Sequence, residues 1–143
     1  MQTIEKMTKA DIPYVADVDM QAFGKRRVEE FEEELADKNY ITLVAKKDGL
    51  VVGYVSALVL METADLVSLA VDANYRRFGF GTKLLEAMVK DAKQAGCERL
   101  MLEVRKSNLP AIKLYNKLGF VPIFVREKYY EGREDAIVMK RDL

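Results

Sequence analysis

The most informative segment of the 143-residue sequence reads Val71-Asp72-Ala73-Asn74-Tyr75-Arg76-Arg77-Phe78-Gly79-Phe80-Gly81-Thr82. Gly79 and Gly81 lack Cβ atoms, so the backbone can turn tightly and approach a ligand closely. The amphipathic run that follows points the free N–H groups and the positive end of a helix dipole at the same place. Arg76 and Arg77 add positive charge. The segment predicts a phosphate-binding turn; the alternative is an ordinary glycine-containing helix entry with surface arginines.

Two familiar nucleotide-binding motifs do not fit this turn. The dinucleotide fingerprint needs a third glycine where Leu84 stands. The P-loop needs a Gly-Lys-Ser/Thr sequence, which is missing here. The turn therefore predicts phosphate binding outside these two classes.

Outside the turn, the chain alternates strand-like and helix-like runs. The predicted strands are Gln2–Met7, Tyr40–Ala45, Leu50–Leu60, Ala64–Asp72, Arg99–Val104, Phe120–Tyr129 and Asp135–Lys140. The predicted helices are one that follows a Thr8/Asp11 capping box, then Glu29–Asp37, Phe80–Ala95 and Asn108–Leu118. Asp48-Gly49 indicates a tight hairpin between the second and third strands. This order predicts a mixed α/β sheet covered by helices, in one domain over residues 1–143.

Composition narrows the chemistry. Lys plus Arg and Asp plus Glu balance at 23 each, so the basic excess typical of nucleic-acid-binding proteins is absent. The chain has no histidine, which removes the commonest metal ligand and the histidine-based triads; we expect no metal. The single cysteine, Cys97, has no evident activating partner and favours a cytoplasmic protein. The longest apolar run, Leu50–Met61, is too short to cross a membrane, so a soluble chain without nucleic-acid or membrane partners is predicted.

Three ordered motifs resemble the GNAT superfamily of acetyltransferases. Its pyrophosphate loop has the pattern Arg/Gln-x-x-Gly-x-Gly/Ala, matched here by Arg76, Gly79 and Gly81. A second motif comprises Leu102–Asn108, Ala111-Ile112, Leu114-Tyr115 and Gly119-Phe120. A third, Lys128–Ala136 with Met139, is similar to the final hairpin of the RimI-type ribosomal-protein-alanine N-acetyltransferases and the archaeal protein N-terminal acetyltransferases. The resemblance covers about Leu66–Leu143; the residues before it match only in general layout.

The resemblance implies a fold and a cosubstrate. The fold is a mostly antiparallel sheet of about seven strands, flanked by four helices and splayed at the acetyl-CoA site. The implied acetyl-CoA-binding residues are Leu69, Ala70, Val71, Arg76, Arg77, Phe78, Gly79, Phe80, Gly81, Thr82, Asn108 and Tyr115. The main chain of the first three would bond the pantetheine arm, and the amides of Arg77–Thr82 would hold the pyrophosphate.

The resemblance also implies two catalytic roles, with Glu103 as general base and Tyr115 as general acid. A weak base suits an N-terminal amine, whose pKa of about 7.7–8 is well below the value of about 10.4 for lysine. Each residue has a structural alternative. Glu103 could be a buried carboxylate paired with Arg105, two residues along the same strand face. Tyr115 could simply pack in the core.

Phe23, Tyr129 and Tyr130 are the candidate residues for binding the acceptor. Adjacent strand residues face opposite ways, so we expect one tyrosine to line a groove and the other to pack inside. The alternative is that both are ordinary strand aromatics. The acidic run Glu29–Glu34 is interpreted as a solvated helix face rather than a docking site for basic peptides. The segment Phe23-Gly24-Lys25-Arg26-Arg27 departs from the Phe-Pro-Trp-like stretch of the bacterial ribosomal subgroup, which bears on the acceptor and leaves the acetyl-CoA site untouched.

The expected activity is acetyl transfer from acetyl-CoA to the N-terminal α-amine of a protein, either ribosomal or broader in range. The first alternative is a GNAT enzyme that acetylates a lysine, a polyamine or another small amine. The second, from a different class, is a non-catalytic module that binds acyl-CoA.

Overall fold

The computed structural model describes residues 1–143, which form one seven-stranded sheet with four α-helices. The strands are β1 (Gln2–Lys6), β2 (Tyr40–Lys47), β3 (Leu50–Leu60), β4 (Thr63–Val71), β5 (Arg99–Arg105), β6 (Val121–Tyr130) and β7 (Glu134–Asp142). The helices are α1 (Ile12–Phe23), α2 (Val28–Ala36), α3 (Phe80–Gln94) and α4 (Leu109–Lys117). The sheet order is β1-β2-β3-β4-β5-β7-β6, and every neighbouring pair is antiparallel except β4 with β5. The predicted mixed, mostly antiparallel fold is confirmed.

Local sequence signals account for several element boundaries. Asp48 and Gly49 both have positive φ angles, 50° and 85°, and form the predicted two-residue hairpin between β2 and β3. The capping box is also present, since the Thr8 main-chain N–H donates to Asp11 Oδ2 at 2.9 Å. It opens a short 3₁₀ turn that continues directly into α1.

The two faces of the sheet carry different covers. Leu84, Leu85 and Met88 of α3 are fully buried in the larger apolar core, which also includes Tyr115 of α4. On the opposite face, α1 and α2 bury Val15 and Phe31, among others, in a smaller core. Successive strand residues point to opposite faces, so β3 contributes to both cores.

Cys97 follows α3, and its side chain is buried in the larger core. Burial raises the pKa of the thiol. The sequence indicated no activating partner, and the structure surrounds the thiol with apolar side chains.

The sheet opens in its middle, between β4 and β5. These strands pair only over Thr63–Asp65 and Arg99–Met101, near the start of each. β4 then continues to Val71 and β5 to Arg105 without pairing to each other. A register shift against β3 leaves Val67 bulged where the two strands separate. The expected splayed sheet is therefore present, with unpaired main-chain groups along both sides of the opening.

β6 forms one outer edge of the sheet and is exposed along nearly its whole length. Its pairing with β7 is irregular between Arg126 and Tyr130, where Lys128 has a positive φ of 49°. The Lys128 main-chain N–H donates to Asp135 Oδ1 at 2.9 Å, which holds the irregularity in place. None of the helices is long and apolar enough to cross a membrane.

Candidate active site

Three adjoining cavities follow the opening between β4 and β5. The first, here the turn cavity, has a volume of about 580 Å³ and lies between the end of β4, residues 75–82 and the start of α4. The second, the central cavity, has about 330 Å³ and lies between β4 and β5. The third, the tyrosine cavity, has about 560 Å³ and is bounded by β4, β5 and β6. Neighbouring cavities share wall residues: Leu69 and Asn108 between the first two, and Glu103 and Tyr130 between the last two. The three cavities are therefore neighbours along the opening.

The loop from β4 to α3 has the geometry that the sequence predicted for an anion-binding turn. Gly79 adopts a left-handed conformation with φ of 82°, and α3 begins at the next residue. Arg77 is also left-handed, with φ of 70°. The loop is tied to α1 because the Gln21 side chain donates to Asp72 Oδ2 at 2.9 Å and accepts from the Ala73 N–H at 3.1 Å. The first N–H groups of α3 thus face the turn cavity from a fixed position.

The predicted acetyl-CoA-binding residues are distributed over these cavities with one exception. The turn cavity is lined by Leu69, Ala70, Val71, Arg76, Arg77, Gly79, Phe80, Gly81, Thr82 and Asn108. Tyr115 lies in the wall of the central cavity. Phe78 lies outside all three cavities, and its exposed ring is covered by the Lys47 ammonium 5.4 Å from the ring centre.

The charge of the turn cavity suits a pyrophosphate. Arg76 and Arg77 have no carboxylate within 4.0 Å, whereas most other arginines of the chain form ion pairs. The Arg76 Nε–H donates to the Val71 carbonyl at 3.2 Å, which holds its guanidinium beside the end of β4. Two uncompensated guanidinium groups and the positive end of α3 therefore converge on one cavity.

Asn108 has a structural task that the sequence did not reveal. Its Oδ1 accepts a hydrogen bond from the Ala111 N–H at 3.3 Å and so caps the N-terminus of α4. The amide nitrogen of the same side chain makes no hydrogen bond within the chain, and Asn108 lines both the turn and central cavities. One side chain can therefore fix the start of α4 and still present two N–H donors to a ligand.

Glu103 lies on β5 between the central and tyrosine cavities with 30% of its side chain exposed. Its Oε1 is 3.0 Å from Nε of Arg126 on β6. The alternative of a buried Glu103–Arg105 pair is wrong, because Arg105 instead pairs with Glu131 and Glu134 and stacks on the Tyr130 ring at 4.3 Å. Glu103 is thus a partly solvated carboxylate held by a cation from another strand.

Tyr115 is 8% exposed and packs against Phe120, with ring centres 5.7 Å apart. No fully buried side-chain polar atom of the protein lacks a hydrogen-bond partner, and the Tyr115 hydroxyl has none within the chain. The hydroxyl is therefore not fully buried, and Tyr115 lines the central cavity. Burial, with a smaller contribution from Tyr130, raises the pKa of Tyr115 to about 12, so the hydroxyl keeps its proton at neutral pH. Tyr115 therefore packs in the larger core, as the structural alternative expects, and it also lines the central cavity.

The expectation that Tyr129 and Tyr130 face opposite ways is wrong. Both side chains line the tyrosine cavity, and their rings meet edge to face with centres 5.1 Å apart. The irregular pairing around Lys128 breaks the two-residue alternation and turns both rings toward β5. The Glu103 carboxylate raises the pKa of the Tyr129 hydroxyl. Phe23, at the C-terminal end of α1, is exposed and lines the turn and central cavities.

The sequence does not indicate two charged neighbours of Glu103. Arg126 comes from β6, which is separated from β5 by β7, so no sequence spacing indicates the contact. Asp65 lies in the last residue pair before β4 and β5 separate. Burial raises the pKa of Asp65, and the Glu103 carboxylate raises it further. Both residues line the tyrosine cavity with Glu103.

An open, mostly antiparallel sheet with an anion-binding turn beside its opening is the architecture of acetyltransferases that draw their acyl group from coenzyme A. The family model described as the acetyltransferase (GNAT) family matches residues 7–120. The chain belongs to the GNAT acetyltransferase family.

Relatives agree with this assignment over most of the chain. The [ribosomal protein bS18]-alanine N-acetyltransferase of Escherichia coli strain K12 is 33% identical over 142 residues, which cover 97% of this chain and 96% of that protein. The N-alpha-acetyltransferase of Sulfurisphaera tokodaii is 40% identical over 126 residues, covering 79% and 75%. The crystal structure of the ribosomal-protein-S18-alanine N-acetyltransferase from Escherichia coli matches this fold with a TM-score of 0.89, covering 99% of this chain and 94% of that one.

Proposed function

We propose that this enzyme transfers an acetyl group from acetyl-CoA to the free α-amine of a protein N-terminus, in the cytoplasm. The observation that carries the proposal is the position of Glu103 and Tyr115 in the wall of one cavity, where β4 and β5 separate. The names of the relatives support the acceptor class, since one is an N-alpha-acetyltransferase and another acts on the alanine of a ribosomal protein.

The turn cavity fits the phosphate end of acetyl-CoA. In the proposal, the amides of Arg77–Thr82 and the charge of Arg76 and Arg77 hold the pyrophosphate. The main chain of Leu69–Val71, which has no partner on β5, bonds the pantetheine arm as a neighbouring strand would. Asn108 donates from its free amide nitrogen near the same arm. When bound, acetyl-CoA supplies the acyl group as a thioester.

Glu103 and Tyr115 divide the proton transfers. The carboxylate of Glu103, kept in place by Arg126, takes the proton that the acceptor nitrogen loses as its bond to the acyl carbon forms. The hydroxyl of Tyr115 donates a proton to the sulfur as the carbon–sulfur bond breaks. An α-amine with a pKa of about 7.7–8 is partly neutral at pH 7, so a carboxylate is a sufficient base.

The tyrosine cavity and the exposed ring of Phe23 supply the acceptor side. Tyr129 and Tyr130 form one wall of the tyrosine cavity. Glu103 also lines this cavity, at its boundary with the central cavity. An extended peptide that enters here brings its first nitrogen toward Glu103. Aromatic walls grip a peptide without requiring a particular charge, which fits acceptors that differ in sequence.

Acceptor choice is tested by following CoA release with a matched set of amines. Short peptides with free Ala, Ser or Met termini are compared with the same peptides blocked at the N-terminus and carrying one lysine, and with spermidine. We expect turnover only of the free-terminus peptides. Turnover of blocked peptides or spermidine would move the assignment to a lysine or small-amine acetyltransferase. Tight acetyl-CoA binding without turnover of any acceptor would indicate a binding module.

A further inference from the structure

A buried polar network lies beneath α1 and α2, on the sheet face opposite the larger core. At its centre is Asp19 of α1, whose side chain is fully buried. Arg27 donates two N–H bonds to the two oxygens of Asp19, each 2.8 Å long. The hydroxyl of Tyr54 on β3 donates to Asp19 and also bonds the hydroxyl of Ser68 on β4. Four segments of the fold are thus joined through one carboxylate.

Burial makes every member of this network depend on the others. A carboxylate with no exposure is strongly destabilising unless it is paired and hydrogen-bonded, and Arg27 is the only cation that pairs with Asp19. Hydrogen bonding to Asp19 raises the pKa of Arg27. Burial, followed by the bond to Asp19, raises the pKa of Tyr54, so its hydroxyl remains a donor.

The two ends of the network lie at two walls of the active site. Arg27 ends the acceptor segment, defined here as residues 23–27, which begins with the exposed Phe23. Ser68 directly follows Val67, the residue bulged where β4 leaves β5, and both line the central cavity. The network therefore runs from the acceptor segment, through the sheet, to the strand at which the opening begins.

We infer that Arg27 is a positioning residue for the acceptor: through Asp19, Tyr54 and Ser68 it fixes the acceptor segment relative to the bulge of β4. The inference rests on the proposed function in that the segment and the bulge border the acceptor's path. Arg27 lines none of the three cavities, so it contacts neither the acceptor nor acetyl-CoA.

The neighbouring residue supplies a matched control. Arg26 also pairs with an aspartate of α1, its Nε lying 2.9 Å from Asp17 Oδ1, and it donates to the Pro13 carbonyl at 3.2 Å. Both members of that pair are exposed, and no bond leads from them to the sheet. Arg26→Met therefore removes an arginine from the same segment without disturbing the network.

The kinetic test compares Arg27→Met with Arg26→Met. For Arg27→Met we expect KM for a free-terminus peptide to rise about tenfold, with KM for acetyl-CoA changed less than twofold, because a small displacement of the acceptor's walls weakens productive binding. For Arg26→Met we expect both constants to change less than twofold. An unchanged peptide KM in Arg27→Met, or an equal rise in both KM values, would overturn the inference.

Arg27→Met leaves Asp19 buried without its cation and could impair folding, so Tyr54→Phe provides a second variant. It removes only the hydroxyl that joins Asp19 to Ser68 and retains the Arg27–Asp19 pair. The same selective rise in peptide KM, about threefold or more, is expected from a partial displacement. A fully folded Tyr54→Phe enzyme with wild-type peptide KM would contradict the inference that the network connects the acceptor segment to the bulge of β4.

Amide hydrogen exchange measured without any acceptor separates this inference from the proposed function. Breaking the network in Tyr54→Phe or Arg27→Met should speed exchange in residues 66–69, whereas Arg26→Met should leave exchange in residues 66–69 unchanged. Unchanged exchange in residues 66–69 in both network variants would refute the coupling. If the wild-type enzyme turns over no free-terminus peptide, the proposed function fails while the exchange comparison still decides the coupling.

Discussion

Glu103 and Tyr115, the proposed base and acid, lie in different surroundings. Glu103 stays partly solvated, and its Oε1 lies 3.0 Å from the Nε of Arg126. Tyr115 is 8% exposed and lines the central cavity. Burial raises the pKa of its hydroxyl to about 12, so the hydroxyl keeps its proton at neutral pH. In a chain without histidine, one carboxylate and one phenol are the proposed base and acid.

Glu103→Gln and Tyr115→Phe should each lower kcat by about 100-fold or more, because each removes one partner in proton transfer. Acetyl-CoA affinity should change less than threefold, since neither residue lines the turn cavity. Steady-state kinetics and calorimetric titration measure the two quantities. Glu131→Gln, which alters an exposed carboxylate paired with Arg105, is the control and should keep wild-type rates. Wild-type kcat in Glu103→Gln would remove it as the base.

The pH profile should show a single rising limb. Activity should increase as the acceptor α-amine loses its proton near pH 8 and then stay level to about pH 10. The raised pKa of Tyr115, about 12, means that its acidic form persists throughout this range. Values of kcat/KM between pH 6 and 10 test this. A fall below pH 10 that disappears in Tyr115→Phe would contradict the proposed state of the tyrosine.

At the scale of the elements, the turn that leads into α3 is the predicted binding site of the acetyl-CoA pyrophosphate. A Cβ atom added at Gly81 would lie 3.5 Å from Leu114 Cδ2 and 4.0 Å from Val71 Cγ2, which is ordinary contact. Gly81→Gln and Gly81→Glu should therefore both fold and differ chiefly in charge. We expect the glutamate variant to bind acetyl-CoA about tenfold more weakly than the glutamine variant, because a carboxylate would repel the pyrophosphate. Equal dissociation constants would place the phosphates elsewhere.

The sequence predicts the turns and helix starts of this fold, but it does not predict contacts that depend on strand register and sheet order. The Asp48-Gly49 hairpin, the Thr8 capping box and the entry to α3 depend on neighbouring residues, so local rules suffice. The common orientation of Tyr129 and Tyr130 depends on the register of β6 against β7, and it overrides alternation. Contacts such as Arg126–Glu103 arise from sheet order and have no signal in sequence spacing.

At the scale of the whole molecule, bound acetyl-CoA should stabilise the fold where the two halves of the sheet separate. Only three residue pairs join β4 to β5, and the proposed ligand bonds the unpaired stretch of β4 beyond them. Acetyl-CoA at 100 times its dissociation constant should add about 2.7 kcal/mol to the free energy of unfolding, or about 5–10 °C in Tm. Thermal unfolding with and without ligand measures this. At the same acetyl-CoA concentration, the Gly81→Glu variant should show a smaller shift in Tm. An equal shift would argue against the turn cavity as the binding site of the phosphates.

The burial of Cys97 has a practical consequence. The thiol is 5% exposed and its pKa is raised, so little reactive thiolate is available while the chain is folded. A maleimide reagent should therefore modify native molecules slowly and unfolded ones at once, and each modified chain gains a fixed mass. Because this is the only cysteine, mass spectrometry after a brief pulse of reagent would count unfolded molecules directly, with no engineered probe.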